Sequence, residues 1–173
     1  SNLIKNIKPL LNAKWPNGQG ERYLVGIAWK LLVLSEDKNQ RKEVLKFIRS
    51  KSMSLVRSAL NALKEVDCPE REEAFDVFYE KWKDNPIILD TWFSLQASAP
   101  RNDSLEIINT MLIHPKFDPI APNTIRAVLG GLSSNIETFH SVDGSGYIFM
   151  AEQIIDVDKR NPITASRLAK VFS

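Results

Sequence analysis

The stretch DCPEREEAFDVFYEKWKDNPIILDTWFSLQASAP, residues 67–100, contains the pattern that decides the fold class. Its first half places large apolar and aromatic side chains three or four residues apart, which is the spacing of one face of an α-helix. Asn85-Pro86 then interrupts the pattern, and Ala99-Pro100 ends the next apolar segment in the same way. Because proline cannot continue a helix, the stretch predicts two helices joined by a short turn, with Asp67 as a cap for the first.

The same pattern extends along the chain on both sides. Apolar residues recur at helical spacing in residues 22–35, 41–50, 53–66 and 123–134, without the alternation that is typical of strands. We expect an all-α fold, an irregular superhelix of antiparallel helix pairs of the armadillo or HEAT type, with an irregular bundle as the alternative. Residues 1–173 are expected to form a single helical domain.

Composition and charge argue against several classes of protein. The 23 lysines and arginines are mixed with 21 aspartates and glutamates, which leaves a net charge of only +2. Nucleic-acid-binding proteins concentrate their basic residues, and a membrane span needs roughly 18 consecutive apolar residues, so we expect neither a nucleic-acid nor a membrane partner. The single cysteine, Cys68, excludes an internal disulfide and favours a reducing, cytoplasmic compartment.

The sequence contains few of the residues that metal sites and nucleophilic sites need. Its histidines and cysteine are His114, His140 and Cys68, which are far apart, and no H-E-x-x-H motif occurs. Zinc sites are built from several such ligands, so no metal or other cofactor is expected within this chain. His114 precedes a proline at a predicted helix end, where we expect it to cap the helix. Cys68 has acidic neighbours, which disfavour a reactive thiolate.

The stretch FHSVDGSGYIFMAEQ, residues 139–153, superficially resembles a catalytic site because it contains His140, Asp143 and Ser145. No strand precedes the serine, and the order of glycines differs from the G-x-S-x-G of a nucleophile elbow. Catalytic triads are also assembled from distant positions. We therefore interpret the stretch as a loop and a helix N-terminus, with Asp143 or Ser145 as the cap and glycines at unusual backbone angles.

Five blocks together carry a family resemblance: EKWKDNPIILDTWFSLQAS (80–98), HPKFD (114–118), PNTIRAVLGGLS (122–133), FHSVDGSGYIFMAEQI (139–154) and NPITASRLAKVF (161–172). In spacing and order they resemble the C-terminal domain of the alanyl aminopeptidase (aminopeptidase N) family, in its bacterial, plant and apicomplexan branch. The resemblance covers residues 60–172, whereas residues 1–58 match less clearly.

The resemblance implies that this chain is a fragment of a larger zinc metallopeptidase that removes N-terminal amino acids from peptides. The family's zinc-binding H-E-x-x-H and its G-A-M-E-N motif belong to an upstream domain, and family members continue with further helices after the last block. The fragment is therefore expected to be inactive alone. Its implied partners are the catalytic domain of the same polypeptide, which it would cap, and peptide substrates that enter through the channel it shapes.

Three residues are implied as site residues by the same resemblance. Arg126 and Arg167 match family arginines that project toward the substrate channel, where a fixed positive charge can hold acidic or carbonyl groups of a peptide. Ile163 matches a position that contacts the pocket for the first side chain of the substrate. A free-standing helical-repeat scaffold that binds another protein on its concave face is the alternative function.

Overall fold

The computed structural model describes residues 2–11, 16, 18–35 and 37–173, and every regular element in them is helical. The α-helices are α1 (Asn2–Ile7), α2 (Gln19–Val33), α3 (Lys38–Leu45), α4 (Met53–Leu63), α5 (Pro69–Trp82), α6 (Pro86–Ala97), α7 (Ser104–Leu112), α8 (Pro122–Ser134), α9 (Ile136–Phe139), α10 (Ser145–Asp158) and α11 (Pro162–Leu168). Short 3-10 helices follow α1, α3 and α11, at Lys8–Leu11, Lys46–Arg49 and Ala169–Phe172. The helices form two compact units, one ending at Lys81 and the other running from Trp82 to Ser173.

In the first unit, α2 packs against α4 and α3. Trp29 of α2 is buried and stacks on Phe47, with 4.5 Å between ring centroids. Lys30 of α2 forms an ion pair with Glu65, just after α4, with 2.9 Å between Nζ and Oε1. One side of α2 is therefore fixed by aromatic packing and an ion pair.

The first turn of α5 corrects the predicted role of Asp67. The Asp67 carboxylate accepts a hydrogen bond from Nη2 of Arg71 at 2.7 Å, rather than from a backbone amide as predicted. Glu72 accepts a second bond, from Nε of Arg71 at 2.9 Å. Arg71 is almost fully buried, and a buried guanidinium requires anionic partners because desolvation of an unpaired charge is costly. The sequence pattern could not show that Arg71 points inward.

In the second unit, α6 and α8 form the main helix pair. Asn85 is the N-cap residue of α6, since its Oδ1 accepts a hydrogen bond from the backbone N–H of Ile88 at 3.2 Å. Gly131 of α8 lies directly against α6, where an added Cβ atom would stand 2.7 Å from Cβ of Ala97 and 3.0 Å from the carbonyl oxygen of Ser94. The two helices can approach this closely only because residue 131 has no side chain.

Within the described residues, no helix combines the length and the apolar character that crossing a membrane requires.

The neighbouring glycines of α8 provide a matched test of this contact. Gly131→Ala should destabilise the chain by about 1–3 kcal/mol, because the new methyl group overlaps the backbone and side chains of α6. Gly130→Ala should be neutral or stabilise the chain by up to about 1 kcal/mol, since nothing lies within 4 Å of the added atom and alanine favours the helix. Urea denaturation followed by circular dichroism measures both values, and equal effects would contradict the close approach.

Candidate functional site

The starts of α8 and α11 lie side by side in the second unit. Nδ2 of Asn161, the residue before α11, donates a hydrogen bond to the carbonyl oxygen of Ile120 at 3.1 Å. Nε of Arg160 donates to the carbonyl oxygen of Pro119 at 3.3 Å. These two bonds join the α10–α11 turn to the segment that leads into α8, so both helices begin at the same end of the unit.

Asn161 also determines where α11 begins. Its Oδ1 accepts a hydrogen bond from the backbone N–H of Thr164 at 3.1 Å, while Pro162 occupies the first helical position. This is the usual arrangement of an N-cap residue followed by a proline that needs no hydrogen-bond acceptor. One amide side chain therefore both starts α11 and holds it beside α8. The sequence signal for this residue is the Asn-Pro dipeptide, and sequence reasoning did not single it out.

Arg126 is exposed in the second turn of α8. Its guanidinium is folded back toward the start of its own helix, where Nη2 donates to Oδ1 of Asn123 at 2.7 Å and Nε donates to the carbonyl oxygen of Pro122 at 3.1 Å. The charge is thereby held in place while the group stays accessible to solvent. Asn123 is a second residue that sequence reasoning missed, because its role depends on the rotamer of Arg126.

Arg167 and Ile163 lie on the exposed surface of α11. Among the residues that the structure describes, no side chain forms a hydrogen bond or ion pair with Arg167. Ile163, in the first turn, is 68% exposed although it is fully apolar. At a rise of about 1.5 Å per residue, Arg126 lies about 6 Å from the start of α8, and Arg167 lies about 7–8 Å from the start of α11, in the last turn of that short helix. Arg126 and Ile163 therefore lie in the first two turns of two helices that begin side by side, whereas Arg167 lies in the last turn of α11.

The stretch at residues 139–153 forms a helix N-terminus, as interpreted from the sequence. Gly144 precedes α10 with a φ of +74°, a left-handed conformation that favours glycine. Asp143 Oδ1 accepts the backbone N–H of Ser145 at 3.0 Å, and this bond is the main cause that lowers the pKa of Asp143. His140 Nδ1 lies 2.6 Å from the hydroxyl oxygen of Tyr147. The helix begins at Ser145 with Gly144 in the N-cap position and no side-chain cap, so the prediction of Asp143 or Ser145 as the cap residue was wrong.

Gly146 explains why this stretch is glycine-rich. A Cβ atom at residue 146 would overlap the carbonyl oxygen of Thr138 and would stand 2.6 Å from that of Phe139. The end of α9 therefore packs directly on the first turn of α10. The residues that look catalytic in the sequence hold this corner together.

The residues that could ligate a metal or act as nucleophiles are separated. No group of three His, Cys, Asp or Glu residues within the described ranges could hold a metal ion, so this part of the chain does not fit zinc. Burial raises the pKa of the Cys68 thiol, which keeps it protonated and unreactive.

His114 packs beside aromatic rings at the end of α7. The ring centroids of Trp92 and Phe93 lie 5.8 and 5.5 Å from that of His114. Its Nδ1 accepts the backbone N–H of Lys116 at 3.0 Å. Burial, with a contribution from Lys116, lowers the pKa of His114 and favours the neutral ring that this bond requires. The bond satisfies a backbone donor just after the helix, so His114 stabilises the chain reversal there.

One titratable residue near α8 was not found from the sequence. Asp90 of α6 is partly buried, and burial raises the pKa of its carboxyl group. Oγ1 of Thr124, a buried residue in the first turn of α8, donates a hydrogen bond to Asp90 Oδ1 at 2.9 Å. This bond adds a polar link to the α6–α8 contact. A single aspartate among apolar residues of α6 is only a weak sequence signal.

A family model described as a domain of unknown function (DUF3458_C) with ARM repeats matches residues 8–173. This match agrees with the helices described above and confirms the predicted all-α, helical-repeat class.

Individual proteins show the same relationship. Aminopeptidase N of Escherichia coli strain K12 is 37% identical over 123 residues, which is 70% of this chain and 14% of that protein. Aminopeptidase N of Caulobacter vibrioides is 40% identical over 101 residues, covering 58% of this chain and 12% of that protein. The crystal structure of Legionella pneumophila aminopeptidase A in complex with aspartic acid matches with a TM-score of 0.84 and 28% identity, over 98% of this chain and 22% of that chain. The chain therefore spans less than a quarter of each of these proteins.

Substitutions at three asparagines of the second unit test the two roles of Asn161, which are to cap α11 and to tether it to Ile120. Asn85, Asn135 and Asn161 each accept a backbone N–H at the start of a helix. Asn135 is buried and also donates from Nδ2 to the carbonyl oxygen of Ala99 at 2.8 Å. Aspartate keeps the capping oxygen but loses the donor, so Asn85→Asp should be nearly neutral. Asn161→Asp should cost about 1 kcal/mol and Asn135→Asp about 3 kcal/mol or more, because the latter buries a charge.

The free energy of unfolding from urea titration gives this order directly. Asn161→Ala serves as the control, since it removes both the cap and the tether and should cost about 2 kcal/mol. If Asn161→Asp matched Asn85→Asp, the hydrogen bond to Ile120 would have no stabilising role.

Proposed function

The chain belongs to the family of ARM-repeat domains whose model matches residues 8–173, and we propose that it is the non-catalytic C-terminal domain of a zinc-dependent aminopeptidase. In this role it caps the catalytic domain of the same polypeptide and forms part of the channel through which peptides reach the zinc site. The similarity to two proteins named aminopeptidase N and to the structure of an aminopeptidase A supports this assignment.

The catalytic step is assigned to the part of the polypeptide outside this chain. A zinc peptidase needs metal ligands that converge on one ion and a general base close to the bound water. The described residues offer no such group, and the histidines and Cys68 have the structural surroundings given above. The buried thiol of Cys68 is also compatible with a reducing compartment, so the proposal includes a cytoplasmic location.

The observation that carries the proposal is the exposure of Arg126, Ile163 and Arg167 on α8 and α11, two helices whose starts are joined by the Asn161–Ile120 hydrogen bond. A guanidinium carries a permanent charge and several donors in a fixed plane, which suits carboxylate and carbonyl groups of a peptide. Arg126 is already oriented by Asn123, and Arg167 is available to bond a ligand. The apolar side chain of Ile163 adds a surface for an apolar substrate side chain.

Substitution of the arginines in the full-length enzyme tests the proposal. Arg126→Ala and Arg167→Ala should each raise KM for tripeptides or longer peptides about tenfold, because a hydrogen bond to a charged group contributes roughly 1.5–3 kcal/mol. Neither should lower the melting temperature appreciably, since both side chains are exposed. Steady-state kinetics and thermal unfolding measure the two effects separately.

Lys170→Ala is the matched control, because it removes an exposed positive charge three residues after Arg167, in the 3-10 helix that follows α11. It should leave peptide kinetics unchanged. Unchanged kinetics in both arginine variants would contradict the channel assignment. If Lys170→Ala raised KM as much as the arginine variants do, the effect would come from the loss of any positive charge and not from the two arginines.

A further inference from the structure

Helix α2 of the first unit is apolar on two opposite sides. One side packs into the unit through Val25, Ala28, Trp29, Leu32 and Val33, all of which are buried. The other side of α2, together with the C-cap residue that follows it, carries a row of large apolar residues that we call the α2 stripe. Each member is between 37% and 71% exposed: Tyr23, Leu24, Ile27, Leu31 and Leu34. The last four members follow one another at steps of three and four residues, so they form one continuous band.

A helix that is apolar on two opposite sides is normally covered on both, because each apolar face loses contact with water only when another surface covers it. The α2 stripe exposes about 500 Å² of apolar side chain, if a large apolar side chain presents about 200 Å² when fully exposed. A contiguous patch of this size usually marks an interaction surface. Charged or polar residues would occupy these positions if α2 faced water in the intact protein.

The area of the α2 stripe favours an occupant on the same polypeptide over a second copy of the chain. A stable complex between separate proteins buries about 800 Å² on each partner, which is more than the stripe offers. A surface joined through the chain needs less contact, since the connection keeps its local concentration high. The similar aminopeptidases are at least four times longer than this chain, which leaves ample polypeptide to supply that surface.

Charges beside the α2 stripe indicate the chemistry of the occupant. A cavity of about 380 Å³ between α2 and α4 adjoins the stripe and is lined by Tyr23, Ile27 and the basic residues Arg22, Lys30 and Lys64. Glu65 is the acidic residue in this lining, and it already forms the ion pair with Lys30. A complementary surface would therefore place carboxylates beside its apolar contact.

We propose that the α2 stripe and the basic cavity beside it form the surface by which this domain docks onto another part of its own polypeptide. The docked surface is apolar with an acidic edge. This docking role presupposes the proposed function, in which the chain is one domain of a longer aminopeptidase.

Cysteine labelling of the full-length protein tests the docking role. Leu24→Cys and Leu31→Cys would be treated with a maleimide in buffer and in urea, with the unsubstituted protein as background. Both should react at least tenfold more slowly in buffer than in urea. Lys42→Cys on α3, an exposed position of the same unit, is the control and should react at nearly the same rate in both conditions.

Labelling of Leu24→Cys and Leu31→Cys at the rate of Lys42→Cys would overturn the inference. Protection that disappears on dilution, as the protein changes from dimer to monomer in sedimentation, would overturn the same-polypeptide occupant in favour of a second copy. An exposed α2 stripe in an active aminopeptidase would refute the docking role alone. A protected stripe in a protein without aminopeptidase activity would refute the proposed function instead.

Discussion

The close approach of α6 and α8 is the constraint on which the second unit depends. It exists because Gly131 places no side chain between the α8 backbone and Ser94 and Ala97 of α6. Thr124 donates to Asp90 at one end of this contact, and Asn135 donates to the Ala99 carbonyl near the other. Three small or polar features thus fix α8 in position and register. The position of α8 in turn determines where its exposed first turns, and the neighbouring start of α11, present their side chains.

The functional proposal follows from this scaffold because α8 and α11 are held together at their beginnings. Asn161 couples the start of α11 to the residue that leads into α8, and Asn123 orients the guanidinium of Arg126. Binding groups that are held by rigid helices lose less conformational freedom when a ligand binds. In contrast, His140, Asp143 and Ser145, which look catalytic in the sequence, are engaged in building the α9–α10 corner.

Sequence patterns predicted the helices well, because apolar periodicity and the Asn-Pro and Ala-Pro dipeptides are local signals. They also predicted that residues 139–153 form a helix start. They did not predict the partner of Asp67, since its contact with Arg71 depends on which way a long side chain turns. The roles of Gly131 and Asn161 were likewise hidden, because each acts through residues more than thirty positions away. The site residues came from a family resemblance, and the spacing of residues alone would not have selected them.

The central claim is that the α8–α11 surface faces bound peptide in the full-length enzyme. It is tested most directly with Ile163→Cys, because the native Cys68 is buried and Ile163 is exposed. Maleimide labelling at residue 163 should slow when a saturating, non-hydrolysed peptide is present, and the labelled enzyme should lose peptide turnover. Glu137→Cys, an exposed position on α9, provides the comparison and should show neither effect. Labelling of residue 163 that is unaffected by peptide and leaves turnover intact would contradict the account.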